Sequence, residues 1–157
     1  MAKKSDQPPI DEIDRHTLAI LAKDPRLPYA DIADEGFKMS SEAIRQRVSS
    51  LLELTTNFFL LHPESHEWEV VVITVQTMGG TATKQAVFEV LSEMNFWFVG
   101  SGFGTVDIYG AETVNSTNEI DELVNGVRAV DGAETVDYFI ETERSTAIGR
   151  YLQVADE

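Results

Sequence analysis

A chain of 157 residues, 43% hydrophobic and 9% aromatic, has material for one medium domain or two small ones with real cores. It contains no cysteine, which excludes disulfides, thiolate nucleophiles and cysteine-based zinc or iron–sulfur sites. No apolar run reaches the roughly 18 residues of a membrane-spanning helix, and residues 1–9 lack the apolar stretch of a signal peptide, so a cytoplasmic location without membrane partners is the expectation.

The formal net charge of −15 counts against nucleic-acid binding by the chain as a whole, because phosphates attract Lys and Arg. The charge is unevenly spread. Residues 1–55 carry eight Lys/Arg against ten Asp/Glu, whereas residues 56–157 carry four against seventeen, for nets of −2 and −13. So acidic a balance, with only five lysines, resembles proteins of salt-accumulating, haloarchaeal-like microbes, whose surface carboxylates hold water; an acidic interaction surface is the competing explanation.

Asp11 is placed to cap a first helix over residues 12–23, with Ile13, Thr17, Ile20 and Leu21 on one face. Asp24-Pro25-Arg26-Leu27 breaks that pattern. Pro28 suits the first position of a short second helix over residues 28–35, ended by Gly36. Ser40 or Ser41 caps a third helix running to about residue 54, where Ile44, Val48, Leu51 and Leu52 form the apolar stripe.

From Thr55 the periodicity becomes that of strands: residues 57–61 and 68–77, separated by the turn-like residues 62–66. His62 and His66 have a spacing seen in metal sites on helices, but Pro63 prevents a regular helix there, so no metal site is expected. Gly79-Gly80 leads into a helix over residues 83–94, with Ala86, Val87, Val90, Leu91 and Met94 facing inward and Asn95 as its stop. Strands at residues 96–100 and 105–109 follow, joined by a glycine-rich loop. Ser116-Thr117-Asn118-Glu119 is a capping box opening a helix to about residue 130, and residues 134–142 form the last strand.

The expected fold class is therefore α+β: an N-terminal three-helix, winged-helix-like unit over residues 1–55, a connecting hairpin over residues 56–67, and a ferredoxin-like βαββαβ domain over residues 68–143. Residues 144–157 form a tail too mixed to assign.

Three short helices, the third carrying Arg, Gln and Ser on its polar face, match the helix-turn-helix design, whose recognition helix enters the major groove of double-stranded DNA. Arg forks onto guanine O6/N7 and Gln onto adenine N6/N7, which points to Arg45, Gln46 and Ser49 as base readers and to Ser40, Ser41 and Arg47 as helix-orienting or phosphate-contacting groups. Glu42 and Ser50 complete the candidate face. A plain three-helix bundle with a solvated polar face fits the same residue types equally well.

The segment Ile10-Asp11-Glu12-Ile13-Asp14-Arg15, then Asp24-Pro25-Arg26, then Ser40 through Leu51 resembles the N-terminal domain of the Lrp/AsnC (feast/famine) regulators. Ser40, Ile44, Arg47, Val48 and Leu51 fit that family's recognition-helix pattern at every position, and with the βαββαβ domain the resemblance covers roughly residues 10–143. It implies a DNA-binding transcriptional regulator, not an enzyme, acting as a homodimer whose C-terminal domains pair through their sheets, with tetramers or octamers as further assemblies.

The resemblance also implies a small effector, commonly an amino acid, near the glycine-containing loop before the third strand. Gly100, Ser101, Gly102, Phe103, Gly104 and Asp107 are the candidates, Gly104 and Asp107 matching the family's G-x-x-D element. The same glycines also fit a simple tight turn with Asp107 as a solvated strand residue. The chain departs from the family by a turn before the third helix about one residue longer than usual, by lacking a glycine after that helix, and by a connecting segment without basic residues. Those departures leave open a rival reading, a small-molecule-sensing or oligomer-forming module with weak or lost DNA binding.

Overall fold

The computed structural model describes residues 10–35, 37–62, 65 and 67–154, and they fall into two compact units, Met1–Phe59 with Ser145–Glu157 and Leu60–Arg144.

In the first unit, α1 (Glu12–Lys23) opens on a complete capping box: the Asp11 carboxylate accepts from the Asp14 backbone N–H at 2.8 Å, and the Asp14 carboxylate accepts from the Asp11 N–H at 3.1 Å. Two of the first-turn orphan donors are thereby satisfied. α2 (Tyr29–Asp34) starts one residue later than its proline suggested; Pro28 is extended and is the N-cap, where its missing N–H costs nothing. The helix stop read at Gly36 lies outside the described residues.

α3 (Ser41–Leu52) is capped by Ser40, whose Oγ accepts from the Ala43 N–H at 3.2 Å. Ile32, Ile44 and Val48 are buried together, with Ile20, Leu21, Leu27, Ala33, Phe37 and Met39 packed around them. Leu52, expected in the stripe, is 51% exposed, whereas its neighbour Leu51 is buried: the two point about 100° apart around the helix, and Leu51 is the one on the Ile44–Val48 face. Within residues 145–154, α6 (Ile148–Tyr151) is a single turn that contacts α1, so part of the tail joins this unit.

In the second unit, β1 (Glu69–Thr77), α4 (Thr81–Glu93), β2 (Phe98–Ser101), β3 (Ile108–Val114), α5 (Thr117–Arg128) and β4 (Ala133–Glu141) follow the βαββαβ order, and the sheet runs β2-β3-β1-β4 with every pairing antiparallel. This is the ferredoxin-like arrangement. Side chains alternate across each strand, so Val71, Ile73 and Val75 of β1 share one face with Ile108 of β3 and Val136 of β4. That face is closed by Val87 and Leu91 of α4 and by Ile120, Val124 and Val127 of α5. Val90, expected inside, is 45% exposed.

The other face of the sheet, opposite the one that α4 and α5 close, carries Phe98, Tyr109, Val72 and Phe139; the Phe98 and Tyr109 rings lie 5.5 Å apart. Gly100 leaves room for the Tyr109 ring: a Cβ there would lie 2.6 Å from it and would push it aside.

Three further expectations are corrected. Residues 57–61 form no strand among the described residues, and Phe59 is 91% exposed. The two middle strands lie later than read, at Phe98–Ser101 and Ile108–Val114, because residues 105–107 are held in a loop by side-chain contacts that periodicity does not reveal. The capping box of α5 is displaced by one residue: Ser116 Oγ accepts from the Glu119 N–H at 3.4 Å, but the Glu119 carboxylate accepts from the Asn115 N–H at 2.9 Å.

Candidate functional site

Burying Ile44, Val48 and Leu51 leaves Ser41, Glu42, Arg45, Gln46, Ser49 and Ser50 together on the exposed side of α3, and Ser40 is exposed at its cap. These groups are not independent. The Glu42 carboxylate accepts from Arg45 Nε at 2.8 Å, from Arg45 Nη2 at 2.6 Å and from Gln46 Nε2 at 3.1 Å, so one acidic residue engages both candidate base readers. The Arg45 hydrogen bond, followed by that of Gln46, holds the Glu42 carboxyl at about 2, and Glu42 in turn raises the Arg45 guanidinium. Ser50 Oγ donates to the Gln46 carbonyl at 3.3 Å.

Arg47 points the other way. Its Nη1 donates to Asp11 Oδ2 at 2.8 Å and to Asp14 Oδ1 at 2.6 Å, tying α3 to the capping box of α1. The paired aspartates and this arginine thus form one clamp. The sequence carried its signal, two aspartates three apart at a helix start and an arginine beside an apolar stripe, but not the pairing.

In the second unit, the candidate effector residues split by role. Gly100 and Ser101 end β2, whereas Gly102 and Gly104 have open space where a Cβ would stand, and Gly104 has φ 133°. The Gly102 N–H donates to the Asp107 carbonyl at 2.9 Å. Asp107 is a loop residue, not a solvated strand residue: its Oδ2 accepts from the Thr77 N–H at 2.9 Å and Thr77 Oγ1 at 3.1 Å, while Oδ1 lies 3.5 Å from Lys84 Nζ. These donors, Thr77 N–H first, lower the Asp107 carboxyl below its ordinary value. Gln76 Nε2 donates to the Thr105 carbonyl at 2.6 Å, completing the loop's attachment to β1.

Lys84, on the second turn of α4, went unnoticed in the sequence. Besides Asp107, its Nζ donates to the Gly102 carbonyl and lies 4.8 Å from the centre of the Phe103 ring. It is the sole lysine of residues 56–157, which is the signal that was available.

Among the described residues no group of three or more His, Asp or Glu side chains is placed to hold a metal ion, and no helix is long and apolar enough to cross a membrane.

Residues 10–52 match the AsnC-type helix-turn-helix domain. The chain is 26% identical over 124 residues to the HTH-type transcriptional regulator LysM of Sulfurisphaera tokodaii, covering 78% of this chain and 88% of that protein. Its fold is that of E. coli AsnC, at 19% identity and TM-score 0.64 over 89% of this chain and 97% of that one. It is also that of a Neisseria meningitidis transcriptional regulator solved with L-Met, at 14% identity and TM-score 0.67 over 88% and 94%.

Proposed function

We propose that this protein is a DNA-binding transcriptional regulator of the Lrp/AsnC type, not an enzyme, which binds a pseudo-palindromic operator as a homodimer. The observation that carries the reading is the exposed side of α3 in an AsnC-type helix-turn-helix domain, where Arg45, Gln46 and Ser49 stand together above a buried Ile44–Val48–Leu51 stripe. Two copies would set their recognition helices in successive major grooves about 34 Å apart. Arg45, Gln46 and Ser49 read bases; Ser40, Ser41, Glu42 and Ser50 border them; Arg47 orients the helix through its clamp on α1.

Homodimerisation is supported by the aromatic sheet face of Tyr109 and Phe139 and by the exposed Phe59, Leu60 and Leu61, which are apolar groups that a second copy would remove from water. Tetramers or octamers would extend the same principle. The effector reading rests on the loop Gly100–Gly104 with Asp107, and the regulator solved with L-Met makes an amino acid the ligand class to try first.

The acidity of the chain fits a cytoplasm rich in salt. A dimer neutralising about six phosphates would show a salt slope near −5, losing roughly 10⁵-fold in affinity per tenfold rise in salt. A regulator working at such salt must draw its affinity from base contacts and cooperativity more than from phosphate pairing.

Genome-wide binding of the tagged protein in its native salt, followed by footprinting at the strongest site, tests the proposal. Two protected half-sites about one helical turn apart are expected. No enrichment anywhere, with the protein folded and abundant, favours instead a sensing or oligomer-forming module without DNA binding, a reading consistent with the net −13 of residues 56–157.

A further inference from the structure

The loop between β2 and β3 assembles three acceptors suited to an ammonium group: the Gly102 carbonyl, the Asp107 carboxylate and the face of the Phe103 ring. All three meet the same atom, Nζ of Lys84. The Lys84 side chain is only 17% exposed, although a surface lysine ordinarily keeps its strongly hydrated ammonium in water unless partners replace that water. Phe103 is fully exposed, so apolar packing does not explain its position; its ring lies beneath the Lys84 ammonium. Open space lies outside Gly102 and Gly104, so the loop is approachable from solvent.

We propose that this loop is an ammonium-binding site which the chain fills from within: Lys84 is its internal ligand, ordering the loop in the absence of any small molecule, and a ligand with a primary ammonium enters only by displacing it. The inference deepens the effector reading and rests on it for one point, that the loop is where an effector binds. On that reading the protein is self-inhibited toward amino acids at this loop, and a carboxylate or other ligand without an ammonium has the easier access.

Amide hydrogen exchange on the full-length protein tests this at two reporters: the Gly102 N–H, bonded to the Asp107 carbonyl, and the Thr77 N–H, bonded to the Asp107 carboxylate. Methylammonium chloride is the probe, with sodium chloride at equal ionic strength as control. In the wild type, exchange at both reporters is expected to be indifferent to either salt. In Lys84→Met it is expected to be about tenfold faster and to return toward the wild-type rate with methylammonium but not with sodium.

Wild-type exchange rates in Lys84→Met, or a wild-type loop as responsive to methylammonium as the variant, overturn the proposal. Exchange at Val71 and Ile73 reports whether the sheet is intact. Should Lys84→Met lose the sheet, Phe103→Ala, which removes an exposed ring, carries the test: about threefold faster exchange at Gly102 supports the site and no change overturns it. The two readings fail on different signals, the internal ligand on amide exchange in the variants and the effector assignment on the operator affinity of Lys84→Met with and without amino acids, where the site stands open.

Discussion

Arg47 on α3 donates to Asp14 on α1 at 2.6 Å, and this bond joins the helix that would read DNA to the cap of the first helix. The Asp14 side chain is 15% exposed and the Arg47 side chain 30%, so water screens the pair less than an open surface ion pair. Arg47→Met should therefore lower the stability of the protein by about 1 kcal/mol, since it leaves Asp14 partly buried without its cation. Denaturation of the two single variants and of the Arg47→Met/Asp14→Asn double variant checks it, the double losing less than the sum.

Asp11, the other partner, sits below the ordinary carboxylate value of 3.8, first through the Asp14 N–H and then through Arg47. A carboxylate lowered on folding adds stability above its unfolded value and loses it as pH falls through the folded one. The stability gap between wild type and Asp11→Asn should therefore be constant near neutrality and close below pH 3.8, which denaturation as a function of pH measures.

Glu42 already holds Arg45 and Gln46, so on the proposed reading it competes with DNA for both. Removing its charge should release both, so Glu42→Gln is expected to bind noncognate duplex about 3–10-fold more tightly, with a salt slope steeper by about 1. Because the Glu42 carboxyl lies at about 2, the competition persists unchanged from pH 5 to pH 8. Fluorescence anisotropy over a salt series reads both quantities, and equal slopes for variant and wild type would falsify the competition.

At an identified operator, Arg45→Ala should cost on the order of 1–3 kcal/mol and relax preference at one base pair in each half-site. Unchanged affinity and preference in a binding-site selection would remove Arg45 from the readers.

Glu112 lies on the helix-covered face of the sheet, opposite Val71, in a cleft that Glu119 and Glu122 also line, and its Oε2 is buried without a hydrogen-bond partner. Burial raises its carboxyl above the ordinary 4.5. A carboxylate raised on folding penalises the native state as pH rises through the folded value. Glu112→Gln should raise the Tm at pH 7 by roughly 2 °C, and the gain should vanish below pH 4.5, as calorimetry at two pH values would show.

Much of the architecture was legible because helix and strand periods are local properties. The apolar positions Ile44, Val48 and Leu51 identify a helix face before any neighbour is known, and all three are buried. The same local reading failed at residues 57–61, where apolar content suggested a strand that does not form among the described residues, and at residues 105–107, where the Asp107 carboxylate bonded to Thr77 shapes a loop and the strand begins only at Ile108. A strand exists only with a partner, and partners are distant in sequence.

By itself the sequence determined the α+β order, the helix caps at Asp11 and Ser116 with the third narrowed to Ser40 or Ser41, and the set of polar residues left outside on α3, since each follows from the spacing of neighbours a few residues apart. The tertiary structure alone decided what those polar groups do: Arg47 turns inward to Asp11 and Asp14, Glu42 occupies Arg45 and Gln46, and Lys84 reaches Gly102 and Asp107. The reason is physical. An ion pair depends on separations of a few ångströms between groups as many as 36 positions apart in the chain, and only the folded backbone brings them together.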